Sequence, residues 1–190
     1  MSGGYLTNAG VFLLNTLFGL FIGAALVRLL LQWARADFYN PLSQAIVKLT
    51  NPALRPLRRY IPALGPIDTA SMVLMLSLQL VNTWLVTALL GGSLGLVGSV
   101  VIVLAELVSK LIYIYLFAIV IQAIASWIAP GNYNPMLALI TTITEPLLRP
   151  IRRVVPPLGG LDLSSLVVII ALQMALMLIV APLADLATLR

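Results

Sequence analysis

The segment from Tyr39-Asn40-Pro41 through Gln79 occurs a second time, 94 positions later and without a gap, as Tyr133-Asn134-Pro135 through Gln173. Nearly half of the aligned positions are identical, among them Thr50/Thr144, Pro52/Pro146, Leu54-Arg55-Pro56/Leu148-Arg149-Pro150, Arg58-Arg59/Arg152-Arg153, Pro62/Pro156, Gly65/Gly159, Asp68/Asp162 and Ser71/Ser165. A tandem duplication restricts the fold to one supersecondary unit used twice. It assigns residues 1–94 to a first repeat and 95–190 to a second. The most faithfully copied part is a polar loop, so that loop is the first place to look for function.

The duplicated unit is apolar. Hydrophobic residues make up 61% of the chain and charged residues 9%, a balance foreign to soluble domains and diagnostic of an integral membrane protein. Four stretches, two per repeat, reach the roughly 20 residues of helix that a bilayer core requires: Val11–Trp33, Ala70–Leu90, Glu106–Ile128 and Ser164–Leu183. The expected fold is all-α, a polytopic membrane protein. Its four transmembrane helices form two parallel two-helix repeats with short amphipathic interfacial helices, bundled about a pseudo-twofold axis along the membrane normal. Leu94–Ala105 follows the Gly91-Gly92-Ser93-Leu94-Gly95 segment and is too short to span alone, so it reads as an interfacial or loosely packed linker. Met1–Gly10 has no basic residue and precedes a long apolar run, which argues against a cleavable signal peptide.

The chain has no cysteine and no histidine, which removes disulfides, thiolate and imidazole metal sites, and Ser-His or Cys-His catalysis. It also lacks a phosphate-binding glycine loop, a metal cluster and paired catalytic carboxylates. It reads as a non-enzyme without cofactors. The net charge of +5 is not a nucleic-acid footprint, because the basic residues cluster beside apolar spans. Membrane lipid, above all anionic lipid, is their natural partner, and a second copy or other membrane proteins are the expected protein partners. Arg35, Lys48, Arg55, Arg58 and Arg59 lie between the first two spans, and Arg149, Arg152 and Arg153 between the last two. The N-terminal tail and central linker hold none before Lys110. The positive-inside rule then places both loops in the cytoplasm and both termini outside.

Within the loop, Asn40-Pro41 and Asn134-Pro135 have the form of an N-cap followed by proline at the first helical position. Leu42, Ala45, Ile46 and Leu49 follow at helical spacing, repeated as Met136, Leu139, Ile140 and Ile143. This amphipathic helix is expected to end at Thr50-Asn51-Pro52 and Thr144-Glu145-Pro146, since proline disfavours helix in the residue before it. Next come Arg55, Arg58 and Arg59, and Arg149, Arg152 and Arg153, each triplet spaced i, i+3, i+4 so that one helical turn gathers three guanidinium groups on one side. Two readings stand for them: topology determinants, or a pair of anionic headgroup sites. Asp68 and Asp162, just before the second span of each repeat, read as N-caps or as carboxylates paired with the arginines.

Polar groups inside spans are functional candidates by default. Gln79 and Gln173 form a matched pair that reads as interhelical hydrogen bonding or a permeation site. Glu106 and Lys110 have the favourable i, i+4 order but no counterparts in the first repeat, where Phe12 and Thr16 stand. Arg28 is expected to snorkel to the interface, Trp33 and Trp127 to sit in aromatic belts, and Gly19 and Gly23 to offer a small-residue packing face.

The pattern Tyr-Asn-Pro, Thr-x-Pro-x-Leu-Arg-Pro-x-Arg-Arg, Ile-Pro-x-Leu-Gly-x-x-Asp, running from Tyr39 to Asp68 and again with small changes from Tyr133 to Asp162, resembles the YggT family of bacterial and plastid membrane proteins. The second copy departs mildly, with Glu145 for Asn51, Pro157 for Ala63 and Val154-Val155 for Tyr60-Ile61. The resemblance implies a small multi-spanning protein of the bacterial cytoplasmic (inner) membrane. Members have been associated with osmotic tolerance, cell-division gene neighbourhoods and, in plastids, nucleoid distribution and cytochrome complex assembly. No catalytic residue carries over. Two functions are expected to compete: a membrane scaffold or assembly factor working through the Arg-Pro loops, and a channel or transporter component working through Gln79, Gln173, Glu106 and Lys110.

Overall fold

In hydrocarbon a backbone must satisfy its own hydrogen bonds, so uncharged runs of Leu, Val, Ile and Ala fold as helices. The computed structural model describes residues 3–63, 68–128, 134–155 and 162–188, and every regular element among them is helical. These are α1 (Gly3–Trp33), α2 (Pro41–Tyr60), α3 (Thr69–Leu89), α4 (Leu96–Ile128), α5 (Pro135–Arg152), α6 (Ser164–Ala175) and α7 (Ala181–Thr188). One π-helical turn, Leu176–Val180, joins α6 to α7. Four stretches are long and apolar enough to cross a membrane: Gly4–Trp33, Thr69–Leu89, Leu96–Ser126 and Ser164–Ala187. Of the sequence expectations, Tyr133, Gly65, Gly159, Pro156 and the Trp127 side chain lie outside the described residues.

Each repeat closes a first span on a second. Ile22, Ala25 and Leu26 of α1 bury against Met75 of α3, and Ala105 and Ile112 of α4 against Leu176 and Val180. A third cluster, Leu30, Leu31, Tyr115, Leu139 and Ile143, ties α1, α4 and α5 together. Leu, Val, Ile and Phe side chains cover the outside, as lipid contact requires. The π turn precedes Pro182, which has no N–H to give and whose ring crowds the preceding turn. There the Ala181 N–H bonds the Leu176 carbonyl, five residues back.

Three expectations are corrected. The Leu94–Ala105 patch is not a loose linker: from Leu96 it is the first part of α4. Ser99 donates its N–H (2.9 Å) and Oγ (3.0 Å) to the Gly95 carbonyl, and Ser99, Val103 and Ala105 are buried. Gly98 shows how closely α7 lies on it, since a Cβ there would meet the Ala187 carbonyl oxygen at 2.9 Å.

The amphipathic helices do not end at Pro52 and Pro146. α2 continues through Pro52 and Pro56, and α5 through Pro146 and Pro150. Each proline forfeits one i→i−4 bond. All four are exposed, so the carbonyls left without a donor lie where water or headgroups reach them. The buried face of α2 is Ser43, Thr50 and Leu54, while Ala45 and Leu49 of the expected stripe are exposed.

The repeats are not related by a two-fold axis. α3 packs on α4 and α5 on α1, but the pairs that a two-fold would add, α6 on α1 and α2 on α4, share no comparable face among the described residues. Gly19 and Gly23 approach nothing closely.

Candidate functional site

Asn40 and Asn134 start the duplicated helices as expected. Their Oδ1 atoms accept from the Leu42 (3.0 Å) and Met136 (2.8 Å) N–H groups, with proline at the first position. Asn40 also crosses to the other repeat, donating Nδ2 to the Pro135 carbonyl at 2.7 Å. Continuation of the helices through their prolines carries the arginine triplets to the C-terminal ends of α2 and α5, Arg153 being the C-cap of α5.

The triplets do not act as units. In each, the middle arginine is the one ion-paired: Arg58 with Asp68, and Arg152 with Asp162 and Glu145, both at 2.9 Å. The flanking arginines, Arg55 and Arg59, Arg149 and Arg153, are exposed. At Asp68 both readings hold together, whereas Asp162 pairs with its arginine but stands one position before the N-cap of α6, Leu163. Asp68 accepts from the Ser71 N–H (3.4 Å) and Oγ (2.6 Å) as the N-cap of α3 while holding Arg58. Asp162 accepts from the Ser164 N–H (3.0 Å) and Oγ while holding Arg152. Each ion pair therefore clamps the basic end of an interfacial helix to the start of the following span.

Burial alone would raise the carboxyl pKa of both aspartates. Hydrogen bonds from Arg58 and Ser71 at Asp68, and from Ser164 and Arg152 at Asp162, outweigh it and hold both below the usual value of 3.8. A carboxylate depressed in the fold stabilises above its unfolded pKa, and loses that contribution as pH falls through the folded value. Thermal melts of detergent-solubilised protein should show a constant gap between the wild type and Asp68→Asn from neutral pH to about pH 5. The gap should close as pH drops past 3.8 toward the folded pKa.

Arg28 does not snorkel. It is buried, and its Nη1 donates to Thr50 Oγ1 (2.6 Å), Asn51 Oδ1 (2.9 Å) and the Val47 carbonyl (3.4 Å), pinning α2 to α1. Its counterpart Gln122 instead accepts from Thr144 Oγ1 at 2.5 Å. The pair Arg28 and Asn51 thus becomes Gln122 and Glu145, a cationic pair replaced by an anionic one. The sequence carried that signal in two differences that shift charge in the same direction between otherwise similar repeats.

The intramembrane residues separate. Gln79 is wholly buried and donates to Glu106, which Lys110 joins at 3.3 Å. Gln79 Oε1 has no hydrogen-bond partner among the described residues. Gln173 belongs to no such cluster and lies exposed on α6. Trp33 is exposed at the end of α1, consistent with a belt position.

Two pairs of apolar spans, each clamped to a proline-bearing basic helix, make this a multi-pass membrane protein built by duplication. The chain belongs to the CCB3/YggT family, whose signature matches residues 7–89 and again 101–183, offset by the same 94 positions. It is 45% identical to an uncharacterized protein of Pseudomonas aeruginosa over 185 residues, covering 94% of this chain and 92% of that one. Identity is 42% over 171 residues to an uncharacterized protein of Vibrio alginolyticus, covering 88% and 91%. It is 36% over 173 residues to the uncharacterized protein YggT of Escherichia coli K12, covering 87% and 86%. No solved structure matches the chain.

Proposed function

We propose that this protein is a non-enzymatic scaffold, serving as an assembly or stress-tolerance factor of the bacterial inner membrane. In this reading α2 and α5 lie at the cytoplasmic face, both termini lie outside, and the basic ends of the two helices hold anionic lipid headgroups and through them a partner protein. The observation that supports it most is the division of labour within each triplet. One arginine is held by an internal carboxylate, and two guanidinium groups of each helix stay exposed. Guanidinium binds phosphate with two parallel hydrogen bonds, and the positive-inside rule supports the orientation.

The test is lipid selectivity. Purified protein should be stabilised by phosphatidylglycerol or cardiolipin more than by a zwitterionic lipid, and Arg55→Gln/Arg59→Gln/Arg149→Gln/Arg153→Gln should erase that preference while still inserting. A preference unchanged in the four-site variant would sink the proposal. The contact of Gln79 with Glu106 inside the membrane favours one other reading, a channel or transporter component. Proteoliposome flux that disappears in Gln79→Leu would move the function there.

A further inference from the structure

The two repeats are joined directionally. α3 packs on α4, with Gln79 on Glu106 and the Trp84 indole N–H donating to Ser99 Oγ at 3.0 Å. Met75 of α3 and Leu107 of α4 share one apolar cluster. Because α6 does not pack in the same way on α1, the contact joins the back of one repeat to the front of the next. An interface of this heterologous kind leaves one unused back and one unused front, and it repeats until it closes a ring or runs on as a row.

Both unused surfaces are marked. On α1 the counterparts of Ser99, Glu106 and Leu107 are Tyr5, Phe12 and Leu13, which are 81%, 69% and 57% exposed. Ser99, by contrast, is fully buried. On α6 the counterpart of Gln79 is Gln173. It is exposed within the membrane-spanning stretch Ser164–Ala187 and has no hydrogen-bond partner among the described residues. Hydrocarbon offers an amide no water to bond.

We propose that a second copy of this chain docks head to tail, the outer face of α6 in one copy lying on the outer face of α1 in the next. Gln173 then sits beside Phe12 as Gln79 sits beside Glu106. Phe12 itself accepts no hydrogen bond. Asn8 and Thr16 lie one turn to either side on the same stripe and supply the amide with partners, the kind of interhelical bond that holds membrane helices together. The internal repeat junction is the template for this contact, so the second copy is the occupant that the fold itself specifies.

Because the chain has no cysteine, every introduced thiol is unique. Full-length protein carrying Phe12→Cys under one tag is coexpressed with Gln173→Cys under another, and the membranes are treated with a mild oxidant and, in parallel, a short bismaleimide. Leu13→Cys with Ile169→Cys, counterparts of Leu107 and Met75, forms a second pair that leaves Gln173 intact. Mixed-tag dimers are expected from both pairs, and no dimer from any single variant expressed alone. Adding Gln173→Leu to the second pair should lower its yield about fivefold. Self-linking of Gln173→Cys alone would mean a symmetric dimer, and absence of mixed dimers from both pairs would mean that lipid or another protein covers these faces. Either result overturns the proposal.

Discussion

Replacing Arg55, Arg59, Arg149 and Arg153 with glutamine is expected to weaken preference for anionic over zwitterionic lipid by up to about a thousandfold. Each basic residue near an anionic surface contributes about 1 kcal/mol, and four together approach about 4 kcal/mol, or roughly three decades in a binding constant. The figure is a ceiling, reached when all four guanidinium groups meet headgroups at once and at low salt, since exposed charges are screened within about 10 Å at 0.1 M ionic strength. Arg58 and Arg152 serve as controls. Their partners are Asp68, Asp162 and Glu145, so Arg58→Gln and Arg152→Gln should lower the melting midpoint and leave lipid preference nearly intact. Competitive titration with brominated phosphatidylglycerol against phosphatidylcholine reads the first effect, and thermal melts read the second. Equal loss of preference in the control pair would show that the triplets act as units after all.

Asp68→Ala should be the most destabilising single change in the polar region, by roughly 2 to 4 kcal/mol. Loss of an aspartate N-cap costs about 0.5 to 2 kcal/mol, and the charge-assisted bond to Arg58 adds about 1.5 to 3. The upper part of that range is discounted, because Arg58 is 42% exposed and recovers water when released. Asp68 itself is only 3% exposed, so no water compensates the Ser71 N–H and Oγ on its side. Asp162→Ala should cost about 1 kcal/mol. The carboxylate is 38% exposed, and Arg152 keeps Glu145 when it is removed. Unfolding in graded denaturing detergent, with the two variants side by side, measures the contrast. Equal costs would mean that burial of Asp68 contributes nothing.

Local features were legible in the sequence and long-range ones were not. Asn40, Asn134 and Asp68 announce themselves because a cap is decided within four residues, while Asp162 misses the N-cap of α6 by one position. The spans do so because hydrocarbon imposes length and composition residue by residue. Pro52 and Pro146 misled because a proline rule describes the chain alone. Arg28 pinning α2, and an exposed flank that tolerates unpaired carbonyls, decide otherwise. Arg28 looked like a side chain free to reach the interface because its acceptors, Thr50 and Asn51, are more than twenty positions away. Gln79 and Gln173 are identical letters in aligned positions, yet only Gln79 faces a carboxylate. Sequence identity between repeats predicts depth in the membrane, but the neighbour is fixed by the order in which repeats are joined.

The exchange of Arg28 and Asn51 for Gln122 and Glu145 makes the two copies electrically unequal. Around the basic end of α2, Arg28, Arg55, Arg58 and Arg59 face one carboxylate, Asp68. Around that of α5, Arg149, Arg152 and Arg153 face two, Glu145 and Asp162. The α2 end thus carries the greater excess of positive charge. In the proposed lipid-binding role, the two ends of common ancestry should fill in sequence as anionic lipid is titrated, the α2 end first. A duplication of that kind would turn membrane charge into a graded response, where two equal sites would give a single step.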